Sequence, residues 1–467
     1  MPVQIYNSLT KKKEVLVPLQ GNRINIYSCG VTVYDRCHIG HARSLYVFDV
    51  MVRYLRYQGY DVRFVRNITD VDDKIINKAN ELKKTSQEVA FENIQKYYED
   101  LESLSIDRAD KEPCATENIP DMIKHIGVLI EKGFAYVANG DVYFSVRKFP
   151  SYGKLSGQGI EQMHEAVRIE KDPNKKDPLD FALWKKSKEG EPFWDSPWGK
   201  GRPGWHIECS VMSLKHLGCE TLDIHAGGRD LIFPHHENEI AQAEALTNKP
   251  FARHWIHHGL ITINGQKMAK SLGNFVTIQD ALKKFSPDEI KMFFLGAHYA
   301  SPIDFSESAV KEAGEALQRF DVLFWRAYEL TKEKDVETKE ADFIKKHRED
   351  FFKAMDDDFN TPQALAALFK LVSDTNKYID HNKSDRDYLN IVFTAVDTIE
   401  DLGRNVFGLF LKEKERSLSE VEELLLEERK TARAKKDFKR SDELRELLKN
   451  KGIAVEDTKE GQVWRWI

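Results

Sequence analysis

The chain has 467 residues, 41% of them hydrophobic and 31% charged, and a net charge of −6. That length exceeds one ordinary core and predicts about two to four domains. The charge balance excludes a chain that coats nucleic acid with bulk positive charge; nucleic acid must be held by local patches.

The composition suits a soluble globular protein. No run of about 18 apolar residues is present, which argues against a membrane span. The start, "MPVQIYNSLTKKKEV", lacks the apolar core of a signal peptide, so a cytoplasmic protein is expected. The five cysteines, Cys29, Cys37, Cys114, Cys209 and Cys219, form no CxxC pair. Reduced thiols are expected, some of them ligands, rather than a disulfide framework.

In chain order, residues 24–28 ("INIYS") predict a short buried strand ending at Cys29-Gly30. Leu45, Phe48, Val52 and Leu55 then recur at helical spacing, and Gly59 is a natural stop. "DVRFVRNIT" alternates as a strand. Strand, helix and strand at this length predict a βαβ unit and a parallel sheet. Ligands of such sheets sit beyond the carboxyl ends of the strands, which puts Cys29, Gly30 and Asn67–Thr69 on one rim. A long polar helical stretch is predicted over about 71–104. Residues 145–205, rich in Gly, Pro, Lys and Trp, read as an insertion with much loop. The α/β pattern then resumes. "HIECSVMSLKHLG" reads as a helix and "TLDIHAGGRD" as a strand with a glycine turn. "PHHENEIAQAEAL" reads as a helix opening on Pro234, and "HWIHHG" as a strand. From about 311 the pattern is almost wholly helical, a separate domain. The last segment carries Arg429, Lys430, Arg433, Lys435, Lys436, Lys439 and Arg440 in close order.

Four short stretches carry chemistry. In "FPHHENE" (233–239), Pro234 suits the first helical position. On a helix His235 and Glu239 share one face, while His236 falls with Ile240 and Ala243 in a packing stripe. His235 with Glu239 is the better ligand pair, and His236 with Glu239 is the alternative. An imidazole and a carboxylate suit zinc, which a thiolate from Cys29 or Cys209 would complete. Capping glutamates at a plain helix start remain the bland reading. "CHIGHARS" (37–44) places His38, Gly40 and His41 at a loop-to-helix junction, an anion site open to close backbone approach. In "NGQKMAKSLGN" (264–274), Lys267 and Lys270 suit a leaving pyrophosphate, against a solvated lysine loop. In "HAGGRD", Gly228 and Asp230 suit a ribose hydroxyl. Trp205 fits a pocket wall or a core tryptophan.

Together "HIGH" (38–41) and "KMAKS" (267–271), in this order on a split parallel sheet, resemble the two signatures of class I aminoacyl-tRNA synthetases. "YSCGVTVYDRCHIGHARS", "NITDVDDKII", "GRPGWHIECS", "FPHHENEIAQ", "AMDDDFNTP" and the tail "KDFKRSDELRELLKNKGIAVEDTKEGQVWRW" are similar to the cysteinyl-tRNA synthetase family over essentially the whole length. The resemblance implies one zinc ion held by Cys29, Cys209, His235 and Glu239, binding the substrate thiol. It implies ATP, with Mg²⁺, on His38, Gly40, His41, Gly228, Asp230 and Lys270. His38, His41, Lys267 and Lys270 would act in catalysis. Thr69 and Trp205 would line the cysteine pocket. Arg433, Lys435, Lys436, Lys439 and Arg440 would contact tRNA(Cys), with Trp464 and Trp466 stacking on bases. Ala269 departs from the usual KMSKS and removes one hydroxyl. L-cysteine would be joined to the 3′-terminal adenosine by a monomer, through its 2′-hydroxyl first and without an editing domain.

The fold implied is α/β. A Rossmann-type catalytic domain (1–115 and 205–260) is split by a connective insertion (116–204). A signature-loop region (261–310), an α-helical bundle (311–420) and a small C-terminal domain (421–467) follow. Two rival readings use the same sequence: a ligase joining cysteine to an amino sugar, and a non-catalytic zinc- or RNA-binding paralogue. The first should lack the helical half, and the second should have lost the signature histidines and lysines.

Overall fold

The computed structural model describes residues 2–161, 173–268, 273–411, 420–450, 453–458 and 461–466. The chain forms two compact units. The first runs to Lys284 and adds His298–Phe305 and Asp356–Phe359. The second takes Phe285–Ala297, Ser306–Met355 and the chain from Asn360 onward.

The first unit is built on four parallel strands: β1 (Arg23–Thr32), β2 (Asp61–Thr69), β3 (Leu222–Gly228) and β4 (Ala252–His258), in the order β4-β3-β1-β2. Helix α1 (Ile39–Tyr57) joins β1 to β2, and its periodic positions Leu45, Phe48, Val52 and Leu55 are all buried. It stops at Gln58 and Gly59, where φ is +86°. After β2 the chain makes its long excursion, forms helix α2 (Trp205–Leu217), and returns on the other side of β1. Helix α3 (Glu237–Thr247) joins β3 to β4. Strand order therefore reverses between β1 and β3, which opens a crevice beyond their carboxyl ends.

The helical stretch expected over 71–104 comprises two helices, Asp73–Leu82 and Ser86–Ser103. Lys83 turns left-handed at φ 55°, and Thr85 with Glu88 caps the second helix from both sides. Described residues between 145 and 205 are largely irregular, as expected, but two strands there, Phe181–Lys186 and Gly201–Pro203, join Ala135–Ala138 and Asp141–Phe144 in a four-stranded antiparallel sheet. Lysines and prolines masked a strand whose alternate residues, Phe181 and Leu183, are buried with Trp184 beside them. One apolar cluster runs from Tyr27 and Val65 through Met122, Phe144 and Trp184 to Ile207, Ile240 and Trp255. The insertion thus shares its core with the parallel sheet.

The second unit is helical: Pro287–Leu295, Glu307–Thr331, Thr361–His381 and Tyr388–Asn405, with most of Asp342–Asp356. Helices Glu420–Ala434 and Phe438–Asn450 follow, and a hairpin of Ile453–Thr458 with Gly461–Trp466 closes it. Two residues of the basic and aromatic tail have structural contacts. Trp464 packs against Trp325 at 5.2 Å between ring centroids and against the small apolar core of Leu426, Leu448, Ile453 and Val455. Arg429 is fully buried; both terminal nitrogens donate to the Asp457 carboxylate at 3.0 Å, and Nη1 also donates to Gln462 Oε1 at 2.7 Å. A guanidinium taken out of water needs such partners. Trp466 has a described backbone only, so its side-chain role lies outside the described residues.

Asp457→Ala strips the buried Arg429 of its carboxylate. The expected cost is about 3 kcal/mol, read as a lower denaturation midpoint of the terminal segment by tryptophan fluorescence, with the first unit's transition unchanged.

Candidate metal centre and nucleotide cleft

The site begins at a defect in β1. Its pairing with β2 slips between Ser28 and Val31, so Cys29 and Gly30 bulge out of the ladder. The stranded Gly30 N–H donates to Asn67 Oδ1 at 2.8 Å. A β-carbon at Gly30 would lie 1.7 Å from the Asn67 carbonyl oxygen, so only glycine fits. The bulge brings Cys29 Sγ to 3.7 Å from Cys209 Sγ, which α2 supplies from its buried face.

The third and fourth donors come from "FPHHENE". Pro234 is not the first residue of an ordinary helix. The Phe233–Pro234 bond is cis, Phe233 is extended, and a wide turn over Ile232–His236 precedes α3. The expected pairing survives: His235 Nε2 lies 2.9 Å from Glu239 Oε1. His235 Nε2 is also 3.6 Å from Cys209 Sγ, and Glu239 Oε1 is 3.3 Å from Cys29 Sγ. One donor atom from each of Cys29, Cys209, His235 and Glu239 lies within 4.8 Å of the others. A second, overlapping set of Cys29, His225, His236 and Glu239 meets the same condition. His236 is therefore more than packing, since its Nε2 lies 3.3 Å from Cys29 Sγ.

A ring of imidazoles surrounds these donors, and sequence reasoning passed it over. His206 Nδ1 lies 2.8 Å from His235 Nδ1, His225 Nε2 is 2.8 Å from Glu239 Oε2, and His257 Nε2 is 2.8 Å from His236 Nδ1. All stood inside quoted motifs, but only the fold brings them to the same donors. Burial pushes His206 and His236 well below the ordinary imidazole range and His257 down to about 3, so all three stay neutral. Burial also opposes charge on Glu239, yet His225 and His235 outweigh it and hold the carboxyl well below its usual range. Burial likewise opposes charge on His235, but Glu239 and Cys209 lift it to about 10. Glu237, by contrast, turns away: its carboxylate accepts the backbone N–H groups of Gly153, Leu155 and Ser156. Two thiols, an imidazole and a carboxylate, buried and mutually within reach, fit a tetrahedral zinc ion. The flanking imidazoles match the outer partners that fix ligand orientation.

Cys29 and Gly30 also line a cleft of about 350 Å³ with His38, Gly40, His41, Gly228, Asp230, His258 and Met268. The signature histidines open α1 as a reciprocal pair. His41 N–H donates to His38 Nδ1 at 3.2 Å, and His38 N–H donates to His41 Nδ1 at 3.3 Å. Their rings stack at 3.7 Å. Both Nδ1 atoms accept, so the ring protons sit on Nε2 as donors. Burial keeps His41 neutral, well below the ordinary range. Gly40 leaves room for the His38 ring, which would lie 2.9 Å from a β-carbon there. At Gly228 a β-carbon would come 2.4 Å from Asp230 Oδ1.

Trp205 is 38% exposed and stacks on His235 at 3.9 Å, a wall at the mouth of the metal cluster. Thr69 is buried; its hydroxyl donates to Glu208 at 2.7 Å and accepts from Asn67 at 3.2 Å. Lys267 lies on the strand Gln266–Lys267, with its side chain outside the described residues, as are Ala269 and Lys270 entirely. Of the basic cluster, Lys435 and Lys436 are exposed in the link between the helices Glu420–Ala434 and Phe438–Asn450, and Lys439 is exposed at the start of the second. Arg433 is tied to Asp457 at 2.9 Å, and Arg440 to Glu428 at 2.8 Å.

The fold and the paired signatures define a class I aminoacyl-tRNA synthetase catalytic domain. A family model described as the tRNA synthetases class I (C) catalytic domain matches residues 15–315. The DALR domain matches 350–412, and the cysteinyl-tRNA ligase anticodon binding domain matches 415–465. Curated cysteine–tRNA ligases of Sulfurihydrogenibium sp. and Aquifex aeolicus are 50% and 47% identical to the chain, each alignment covering 100% of it and 100% and 99% of the relative. The chain belongs to the cysteine–tRNA ligase family. Among solved structures, Mycobacterium tuberculosis methionyl-tRNA synthetase in complex with methionyl-adenylate shares the fold at a TM-score of 0.64 and 15% identity, covering 83% of this chain and 92% of that one. The Agrobacterium radiobacter LeuRS–tRNA–LeuAMS complex gives 0.64 at 10% identity, covering 84% and 85%.

Gly30→Ala forces the β1 bulge apart from β2. Destabilisation of at least about 3 kcal/mol is expected, together with loss of bound metal, measured by thermal unfolding and elemental analysis.

Proposed function

We propose that this chain joins L-cysteine to tRNA(Cys) in two steps, using ATP. Cysteine carboxylate attacks the α-phosphate of ATP to give cysteinyl-adenylate and pyrophosphate. The 3′-terminal adenosine of tRNA then displaces AMP, through its 2′-hydroxyl first. One observation carries the reading: a thiol-rich metal set and the signature histidine pair open onto one crevice through Cys29. The matched anticodon-binding region argues against an amino-sugar ligase.

Cys29, Cys209, His235 and Glu239 would hold one zinc ion. This set is preferred over the His225/His236 set because His235 stands at the half-exposed Trp205 mouth, whereas His236 is enclosed by His257 and Trp255. When bound, zinc supplies a soft acceptor that favours the substrate thiolate over a hydroxyl. A site built for that contact rejects serine by about 10⁴–10⁵, so no editing is needed. Trp205 walls the cysteine pocket, and Thr69 joins it through the Asn67–Thr69–Glu208 chain.

His38 and His41 donate from Nε2 toward the triphosphate, which Mg²⁺ accompanies. Gly40 admits it to the start of α1. Gly228 and Asp230 receive the adenosine. Lys267 and Lys270 neutralise charge developing on the leaving pyrophosphate, a role that Ala269 leaves intact. No covalent nucleophile is needed, because positioning and electrostatic stabilisation suffice. Exposed Lys435, Lys436 and Lys439, with Arg433 and Arg440, contact tRNA phosphates. The protein acts as a monomer, and its five free thiols suit the reducing cytoplasm.

Cysteine-dependent ATP–pyrophosphate exchange is expected with the full chain; its absence sinks the reading. Exchange without charging of tRNA(Cys) points to another acceptor. By elemental analysis, Cys209→Ser and His235→Ala should lose the metal while His236→Ala keeps it. Metal retained in His235→Ala would assign the other imidazole.

A further inference from the structure

Arg43 lies two residues past the signature histidines and is 1% exposed. No carboxylate answers it among the described residues. Among the described residues its guanidinium donates only to backbone carbonyls: Nη1 to Gly259 at 2.9 Å and Leu260 at 3.0 Å, and Nη2 to His298 at 3.4 Å, Tyr299 at 3.2 Å and Ser301 at 2.5 Å. Such a cation costs free energy to bury, and burial alone draws Arg43 down to about 10, where it is still charged at neutral pH.

The carbonyls belong to two segments that open neighbouring strands. Gly259 and Leu260 lead into Ile261–Ile263, and Tyr299–Ser301 lead into Ile303–Phe305. Those strands pair in parallel, and Ile261–Ile263 also pairs with Gln266–Lys267, which runs into the second signature. The far end of that signature segment is tied to the same helix start. Ile39 N–H donates to Val276 at 3.0 Å, and Ile278 N–H donates to Cys37 at 3.1 Å. The outgoing end is thus pinned by backbone bonds and by Phe275 against the His38 ring, and the incoming end by the Arg43 fork and by His258 against Phe48.

We infer that Arg43 is a positioning residue for adenylation: it sets the incoming end of the lysine-bearing segment against the His38/His41 pair. Arginine is required because its planar fork reaches both carbonyl groups at once, whereas the point-like ammonium of lysine serves one. The inference rests on the proposed ligase activity, and it separates the two chemical steps. Pyrophosphate release uses the lysine segment, and transfer of the cysteinyl group to tRNA does not.

Arg43→Lys, with the charge kept, tests it in the full metal-loaded chain. Rates are referred to active sites titrated by stoichiometric adenylate formation, so that a lost folded fraction does not count. Adenylation kcat is expected to fall about 10²-fold, the cost of a misplacement near 1 Å. The KM for cysteine and the single-turnover transfer rate should stay within about twofold. Adenylation unchanged per titrated site, or transfer slowed as much as adenylation, overturns the role and leaves Arg43 as a packing anchor. Arg43→Gln, uncharged and with one amide donor group, should be slower still in adenylation alone. Exchange by the unsubstituted chain is the control: if it fails, the ligase reading falls, and if it succeeds while Arg43→Lys matches it, only the positioning role falls.

Discussion

The first unit is organised around a charge that water cannot reach. Glu239 is fully buried, and its two oxygens are met by His225 and His235 from different elements. A carboxylate in that position is tolerated only when every lone pair is addressed. Satisfying it recruits β3 through His225, and the turn before α3 through His235. His206 from α2 and Cys29 from the β1 bulge then complete the shell. Elements far apart in sequence must therefore meet at one point, and the surrounding apolar cluster holds them there.

That constraint explains the local departures from regular structure. The β1 bulge, the extended Phe233 and the wide turn before α3 all fall beside the donors. Regular strands and helices would aim these side chains elsewhere. The cleft lined by His38 and His41 is simpler. It uses a helix start whose two histidines satisfy each other's backbone donors and so fix their own tautomers.

Much of this was legible in the sequence, for stated physical reasons. A buried run gave β1, a 3.6-period pattern gave α1 and alternation gave β2, although the strands prove buried on both faces over Ile24–Ser28 and Phe64–Thr69. The four-residue spacing of His235 and Glu239 survived, although the helix expected at Pro234 starts only at Glu237. The insertion sheet was hidden by the lysines of its exposed faces and by its dense turns. The helical stretch expected across 71–104 is broken at Lys83, a residue type that gives no warning of left-handed backbone. His206, His225 and His257 stood in plain view, but their contacts are tertiary. Arg429 and Trp464 show the converse: a basic or aromatic residue in a suggestive tail can also have a structural role, Arg429 paired with Asp457 and Trp464 packed on Trp325.

The last strand of the insertion, Gly201–Pro203, ends one residue before α2 begins at Trp205. The intervening Gly204 N–H donates to Leu183 at 2.8 Å, so no slack remains between the inserted sheet and the wall of the metal cluster. An appendage on flexible tethers can be exchanged or trimmed as lineages diverge. This one cannot drift independently, because shifting its register by a residue would move Trp205, His206 and Cys209 together. The insertion is heritable only as a matched part of the pocket it borders.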